Sequence, residues 1–344
     1  MPTATTDKEG SYFYFVDTGA VPGSNNYTTL VMYHGACFNS ETFKKLLPLA
    51  PASNIRLVTV NRRNYPGSSP FTPADITNLA TKAGLDQMAT DVAGFLTWFV
   101  DHNDIPRASA DGKSGGLAVL GWSMGSCSLV AFLGQPDVVG AQTYTKLEPY
   151  LRKAIIYDSP SLGLGFESPP HLRLMPFIDP TKGNTPEAVD VQGFADWVGS
   201  HYSHPGDIDT NDISALDTVS KGTRPHTSVL SDAERKTIIQ FDKLGFEMAL
   251  TPVLHLIREQ TDKALLDETY AKSVLPKLTV VHFVCLSTGW MPLYGLQQVR
   301  KAREELIAKG KVLRPYEVVK LPGEDHFAHW EAPEKFFSKL VEAL

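Results

Sequence analysis

Cysteine is scarce in this chain: Cys37, Cys127 and Cys285 are far apart and odd in number. That excludes a disulfide framework and a cysteine-rich zinc site, and it fits a reducing compartment. Excess positive charge is absent as well. Thirty-two Lys and Arg stand against 38 Asp and Glu, a net charge of -6 without a basic block. A phosphate backbone is repelled on average, so nucleic acid is not an expected partner. Long apolar runs are missing too, since the longest, such as Leu278 to Leu286, reach about nine residues where a bilayer crossing needs about 20. The first ten residues are polar and lack the basic start and apolar stretch of a secretory signal. The resulting expectation is a cytoplasmic protein.

What is present is an ordinary globular mixture, 42% hydrophobic and 20% charged over 344 residues. Strand-like runs recur at Tyr12–Val16, Thr29–Tyr33, Ile55–Val60, Leu117–Leu120, Ala154–Tyr157, Leu278–Leu286 and Tyr316–Leu321. Most are too apolar to alternate, which places them in a sheet covered on both faces. Helical spacing between them, at Leu85–Val100 and Met124–Leu133, predicts an α/β fold with a mostly parallel, doubly wound sheet. The interval Ser159 to Lys277 is too long for one crossover. It reads as an inserted, mainly helical cap domain over 159–277, with helix-like pieces at Asp232–Leu244 and Val253–Leu266 after a loop-rich entrance. The core domain is then 1–158 and 278–344.

Chemistry enters at Gly121-Trp122-Ser123-Met124-Gly125, a G-x-S-x-G at the end of an apolar strand and the start of a helical stretch. Small flanking residues permit the sharp turn that exposes a serine hydroxyl, with the following N–H and the helix N-terminus aimed at a developing oxyanion. Upstream, Leu30 to Asn39 is a strand running into His34-Gly35. That loop is placed to offer a second backbone donor, from Ala36 or its neighbour, with Gly35 in the turn and His34 fixing it. Near the C-terminus, His326 follows the last strand, with His329 as a competitor and Pro333 in the first turn of a final helix.

Together with Val60-Asn-Arg-Arg-Asn-Tyr-Pro-Gly-Ser-Ser69, these segments resemble the α/β-hydrolase superfamily over most of the chain outside the cap. The resemblance implies Ser123 as nucleophile, His326 as general base, and an oxyanion hole from Ala36, Met124 and Gly35. One departure stands out. Most members carry the acid after the penultimate strand, where this chain has Ser287-Thr288-Gly289 and no carboxylate. Asp158, after the strand that follows the nucleophile helix, takes that role by similarity to pancreatic-type lipases and some fungal polyketide lactonases and acyl-CoA hydrolases. The alternatives are that Asp158 only caps the loop and that Glu324 or Asp325 supplies the acid.

The expected function is a cofactor-free serine hydrolase of an ester, lactone or thioester of a medium-sized apolar metabolite, with polyketide-type compounds suggested by that similarity. Carbon–carbon bond hydrolysis, cyclisation at the same site, and ligand binding without turnover are the competing readings. Pocket candidates are Trp122, Cys37, Phe38, Trp290, Phe166 and Phe177, with Leu172, Leu174, Met175, Phe194 and Trp197 in the cap. No metal is expected, because His201-Tyr-Ser-His204 lies in a Gly, Asp and Pro-rich stretch without a zincin pattern. Oligomeric state is not readable from the sequence.

Overall fold

A computed structural model describes residues 3–6, 10–172, 175–182 and 188–344. Eight strands form one sheet: β1 (Thr3–Thr5), β2 (Tyr12–Asp17), β3 (Thr28–Tyr33), β4 (Ile55–Val60), β5 (Leu117–Trp122), β6 (Leu151–Tyr157), β7 (Thr279–Cys285) and β8 (Tyr316–Leu321). Their order is β1-β2-β4-β3-β5-β6-β7-β8. β2 runs antiparallel to both of its neighbours, β1 and β4, and the remaining pairs are parallel.

The strands are buried on both faces because successive side chains feed two apolar clusters. Val31, Val58, Val119, Ala154 and Ile156 point to the face covered by the helices Lys82–His102 and Gly125–Gly134. Leu30, Met32, Leu57, Leu120 and Ile155 point to the other, covered by the turns Ser40–Leu49 and the final helix Pro333–Ala343. Among the described residues, no helix is long and apolar enough to cross a membrane.

Between β6 and β7 lie short turns and the helices Val191–Val198, Asp232–Ile238, Leu244–Met248, Leu254–Leu265 and Glu268–Ser273. The helix Leu254–Leu265 packs against Gly125–Gly134, and its Ala264 and Leu265 join the apolar cluster of that face. Two expectations are corrected. The helix foreseen over Asp232–Leu244 stops at Ile238, because Ile239 is extended and bridges antiparallel to Phe38. β1, absent from the sequence reading, is a three-residue edge strand with only Ala4 buried, too short and polar to signal itself.

Candidate active site

Ser123 and Asp158 each sit one residue beyond the C-terminal end of a strand, where ligands gather in open α/β sheets. Ser123 N–H donates to Tyr157 O at 2.8 Å, and Asp158 N–H donates to Phe283 O at 2.8 Å, so the parallel ladder fixes both backbones. Both then turn into the left-handed region, Ser123 at φ 53° and Asp158 at φ 47°, a conformation uncommon for a residue with a side chain. The two elbow glycines are demanded by close approach. A Cβ on Gly121 would lie 2.6 Å from Gly125 O, and one on Gly125 would lie 2.6 Å from His34 O. Ser126 Oγ ties the turn by donating to Gly121 O at 2.6 Å.

His326 is brought to Asp158 by the loop after β8, which Trp122 anchors by donating its indole N–H to His326 O at 3.1 Å. His326 Nδ1 lies 2.6 Å from Asp158 Oδ2. An ionised carboxylate only accepts, so Nδ1 carries the proton and Nε2 keeps its lone pair. Asp158 is fully buried and is held by two more donors, Cys285 N–H to Oδ1 at 2.9 Å and Thr288 Oγ1 to Oδ2 at 2.6 Å. Ser123 and His326 line one cavity. Among the described residues no hydrogen bond joins them, a contact that resting sites often close only with substrate.

The other candidate bases and acids are engaged elsewhere. His329 is buried between Thr42 Oγ1 at 3.0 Å and Tyr157 Oη at 3.1 Å, and burial holds it well below the usual imidazole range. Glu324 pairs with Lys335, and Asp325 faces His201.

The loop after β3 is fixed by buried polar contacts. Arg62 N–H donates to His34 Nε2 at 3.0 Å, so His34 Nδ1 bears the proton and donates to Gly35 O at 2.9 Å. Burial, then the neighbouring Arg62, holds His34 neutral, well below its ordinary value. A Cβ on Gly35 would lie 2.7 Å from Ser123 Cβ, so only glycine lets the loop pass this close. Cys37 N–H is taken by Tyr65 Oη at 3.0 Å. Among the described residues the N–H groups of Ala36 and Met124 make no hydrogen bond, and both residues line the cavity.

Arg62 also forms a buried ion pair with Glu247 from the segment between β6 and β7. Glu247 Oε1 accepts from Tyr65 Oη at 3.0 Å, and Glu247 lines the cavity. Further stitches run from the same segment: Gln240 N–H donates to Cys37 O at 2.6 Å and Asn39 N–H to Ile238 O at 3.1 Å.

The cavity encloses about 860 Å³ of empty space, its open mouth included, and its wall is almost wholly apolar. Of the six pocket candidates, Phe177 lines it, with Met175, Phe194 and Trp197 from the same segment. The other five do not. Trp122 and Phe38 pack with Phe327 in the core, since the strand and loop direct their rings behind the serine. Cys37 is buried beneath the loop, its thiol pushed up by burial. Phe166 lies under Arg258, and Trp290 packs beside Tyr294. Leu172 lies outside the lining, and Leu174 lies outside the described residues. Sequence reasoning missed Met248, Leu250, Leu254, Met291, Glu247 and Thr288. Only Thr288 left a signal, standing after β7 where a carboxylate was sought.

This sheet, with a serine elbow after the fifth strand and a histidine loop after the last, defines the α/β-hydrolase fold. The model of the alpha/beta hydrolase family matches residues 30–339, and the chain belongs to that family. No curated protein matches the sequence. Solved structures of similar shape include a bromoperoxidase from Bacillus anthracis, 13% identical with a TM-score of 0.54 over 99% of this chain and 98% of that one. A thermophilic esterase from Thermogutta terrifontis is 17% identical with a TM-score of 0.53 over 99% and 97%. The thioesterase domain from the curacin biosynthetic pathway is 14% identical with a TM-score of 0.53 over 99% of each chain. At these identities the likeness is one of fold.

Proposed function

We propose that the protein is a cofactor-free serine hydrolase that cleaves an ester, lactone or thioester of a medium-sized apolar metabolite. The observation that carries this reading is the 2.6 Å contact of His326 Nδ1 with buried Asp158, beside a cavity that Ser123 shares. In this mechanism Ser123 Oγ attacks the substrate carbonyl while His326 Nε2 takes its proton, and Asp158 stabilises the imidazolium. The oxyanion receives the N–H groups of Met124 and Ala36, with Gly35 supplying the space for approach. Collapse expels the leaving group with the proton from His326, and water activated by the same imidazole releases the acid.

The apolar wall favours an acyl group or ring with few charges, since an ion buried there finds no partner beyond the paired Glu247. Residues 159–277 act as the cap over this cavity, with the helix Leu254–Leu265 packed on the core helix Gly125–Gly134. The acid after β6, similar in position to that of some fungal polyketide lactonases and acyl-CoA hydrolases, makes lactones and thioesters of polyketide type the first substrates to screen. The test is intact mass after treatment with a small sulfonyl fluoride. One adduct on the wild type and none on Ser123→Ala is expected; an unmodified wild type refutes an activated serine.

A further inference from the structure

A second cluster of chemistry includes Asp325, and none of its members lines the cavity. His201, from the segment between β6 and β7, faces Asp325 and Glu331 from the loop after β8. One donor atom from each lies within 4.8 Å of the other two. His201 Nε2 is 2.9 Å from Asp325 Oδ2 and 3.8 Å from Glu331 Oε2. The histidine is distant in sequence from the two carboxylates, so spacing offered no hint of the cluster.

The local hydrogen bonding leaves this group unresolved. In the tautomer that leaves His201 Nε2 bare, Arg224 Nη2 donates to that nitrogen at 2.9 Å. Asp325 Oδ2 then faces an unprotonated nitrogen across 2.9 Å, and this oxygen accepts no hydrogen bond although Asp325 is only 1% exposed. Two electron-rich atoms so close call for positive charge between them, which either a proton on Nε2 or a metal ion supplies. The outer contacts have the form seen around bound ions, in which each carboxylate is oriented through its other oxygen. Asp325 Oδ1 accepts Phe327 N–H at 2.9 Å, and Glu331 Oε1 accepts from His226 Nδ1 at 2.9 Å.

We propose that His201, Asp325 and Glu331 bind a divalent transition-metal ion, with zinc the best fit to one imidazole and two carboxylates. Arg224, whose side chain is 58% exposed, is the competitor: its guanidinium occupies the ion's place and pairs with Glu331. Its departure to solvent frees Glu331 to close on an ion at about 2.0–2.2 Å from each donor. Bound there, the ion would fasten the segment between β6 and β7 to the loop that carries His326. This inference does not depend on the proposed reaction.

The test is calorimetric titration of the chelator-stripped full chain with zinc chloride near neutral pH, with circular dichroism to confirm the fold of each variant. One ion per chain is expected. His201→Ala and Glu331→Gln should each weaken binding by at least about tenfold, and Arg224→Ala should tighten it. Absence of binding below about 1 mM, unchanged affinity in folded His201→Ala and Glu331→Gln, or weaker binding in Arg224→Ala would each overturn the site.

Discussion

Replacing Asp158 by Asn tests the proposed triad without disturbing its packing. Cys285 N–H is a fixed donor to Oδ1 and compels the amide oxygen of the introduced asparagine to occupy that position. The amide nitrogen must then stand where Oδ2 was, 2.6 Å from both Thr288 Oγ1 and His326 Nδ1. The threonine hydroxyl can rotate to accept. The imidazole can satisfy the new donor only by moving its proton from Nδ1 to Nε2, and that leaves no lone pair facing Ser123. The base is therefore lost although every hydrogen bond is kept. In serine-protease triads the equivalent tautomer error costs about four orders of magnitude in kcat, or about 5.5 kcal/mol of transition-state stabilisation. The assay is the second-order rate of sulfonyl fluoride labelling, followed by mass, together with a thermal melt. A loss of about 10⁴ with Tm unchanged is expected. Labelling within tenfold of the wild type would remove Asp158 from the mechanism.

Three further outcomes follow from the same geometry. Gly35→Ala drives a methyl group into Ser123 Cβ, 2.7 Å away, and should cost about 1–3 kcal/mol of stability and most of the labelling rate; a normal rate refutes the loop's place beside Ser123. Glu247→Gln strips the charge partner of buried Arg62 and should cost about 3 kcal/mol in urea unfolding, with slower turnover because Arg62 also holds Gly35 O at 2.8 Å; equal stability refutes the structural role of this ion pair. Acid should destabilise the fold. Burial holds His34 and His329 well below the usual range and brings His282 down to about 4. The unfolded chain takes up these protons below about pH 6.5 and the folded chain does not, so their stabilisation is present above pH 6.5 and is lost as the pH falls toward the folded values. Each contributes at most about 2 kcal/mol between pH 7.5 and 5. His201, raised chiefly by its contact with Asp325, acts in the opposite sense, its stabilisation being lost as pH rises above 6.5. His204 is lowered by its burial as well, so four histidines oppose one, and a Tm flat from pH 7.5 to 5 would refute that net effect.

The parts of the structure that were legible in the sequence are those specified by neighbours along the chain. Seven strands carry their own aliphatic or aromatic runs, and the turn around Ser123 is announced by two glycines whose missing side chains the packing requires. Asp158 could be placed because it ends a recognisable strand. Side-chain direction was less legible: Trp122 adjoins Ser123 in the chain, yet pleating turns it toward Phe38 and Phe43 rather than into the cavity. Contacts across large separations left no trace, whether Glu247 on Arg62, Thr288 on Asp158 or Ile239 on Phe38. Local periodicity extended a helix through Ile239, and a tertiary strand contact ended it.

Those long-range contacts converge on one loop. Residues 34–39 must hold two strained or crowded positions, Cys37 at φ 63° and Gly35 against Ser123. A backbone so placed persists only where its surroundings over-determine it. The core supplies half of that constraint through His34, Arg62 and Tyr65. The other half comes from Ile238, Gln240 and Glu247 of the segment between β6 and β7. Under the proposed mechanism, the oxyanion donors are therefore complete only while that segment is seated. Movement of the segment to admit substrate would loosen the Ala36 donor at the same time, and reseating would restore it with the acyl group enclosed. Truncating the segment should accordingly lower kcat as well as weaken substrate binding, measured on a small ester whose access the segment does not limit.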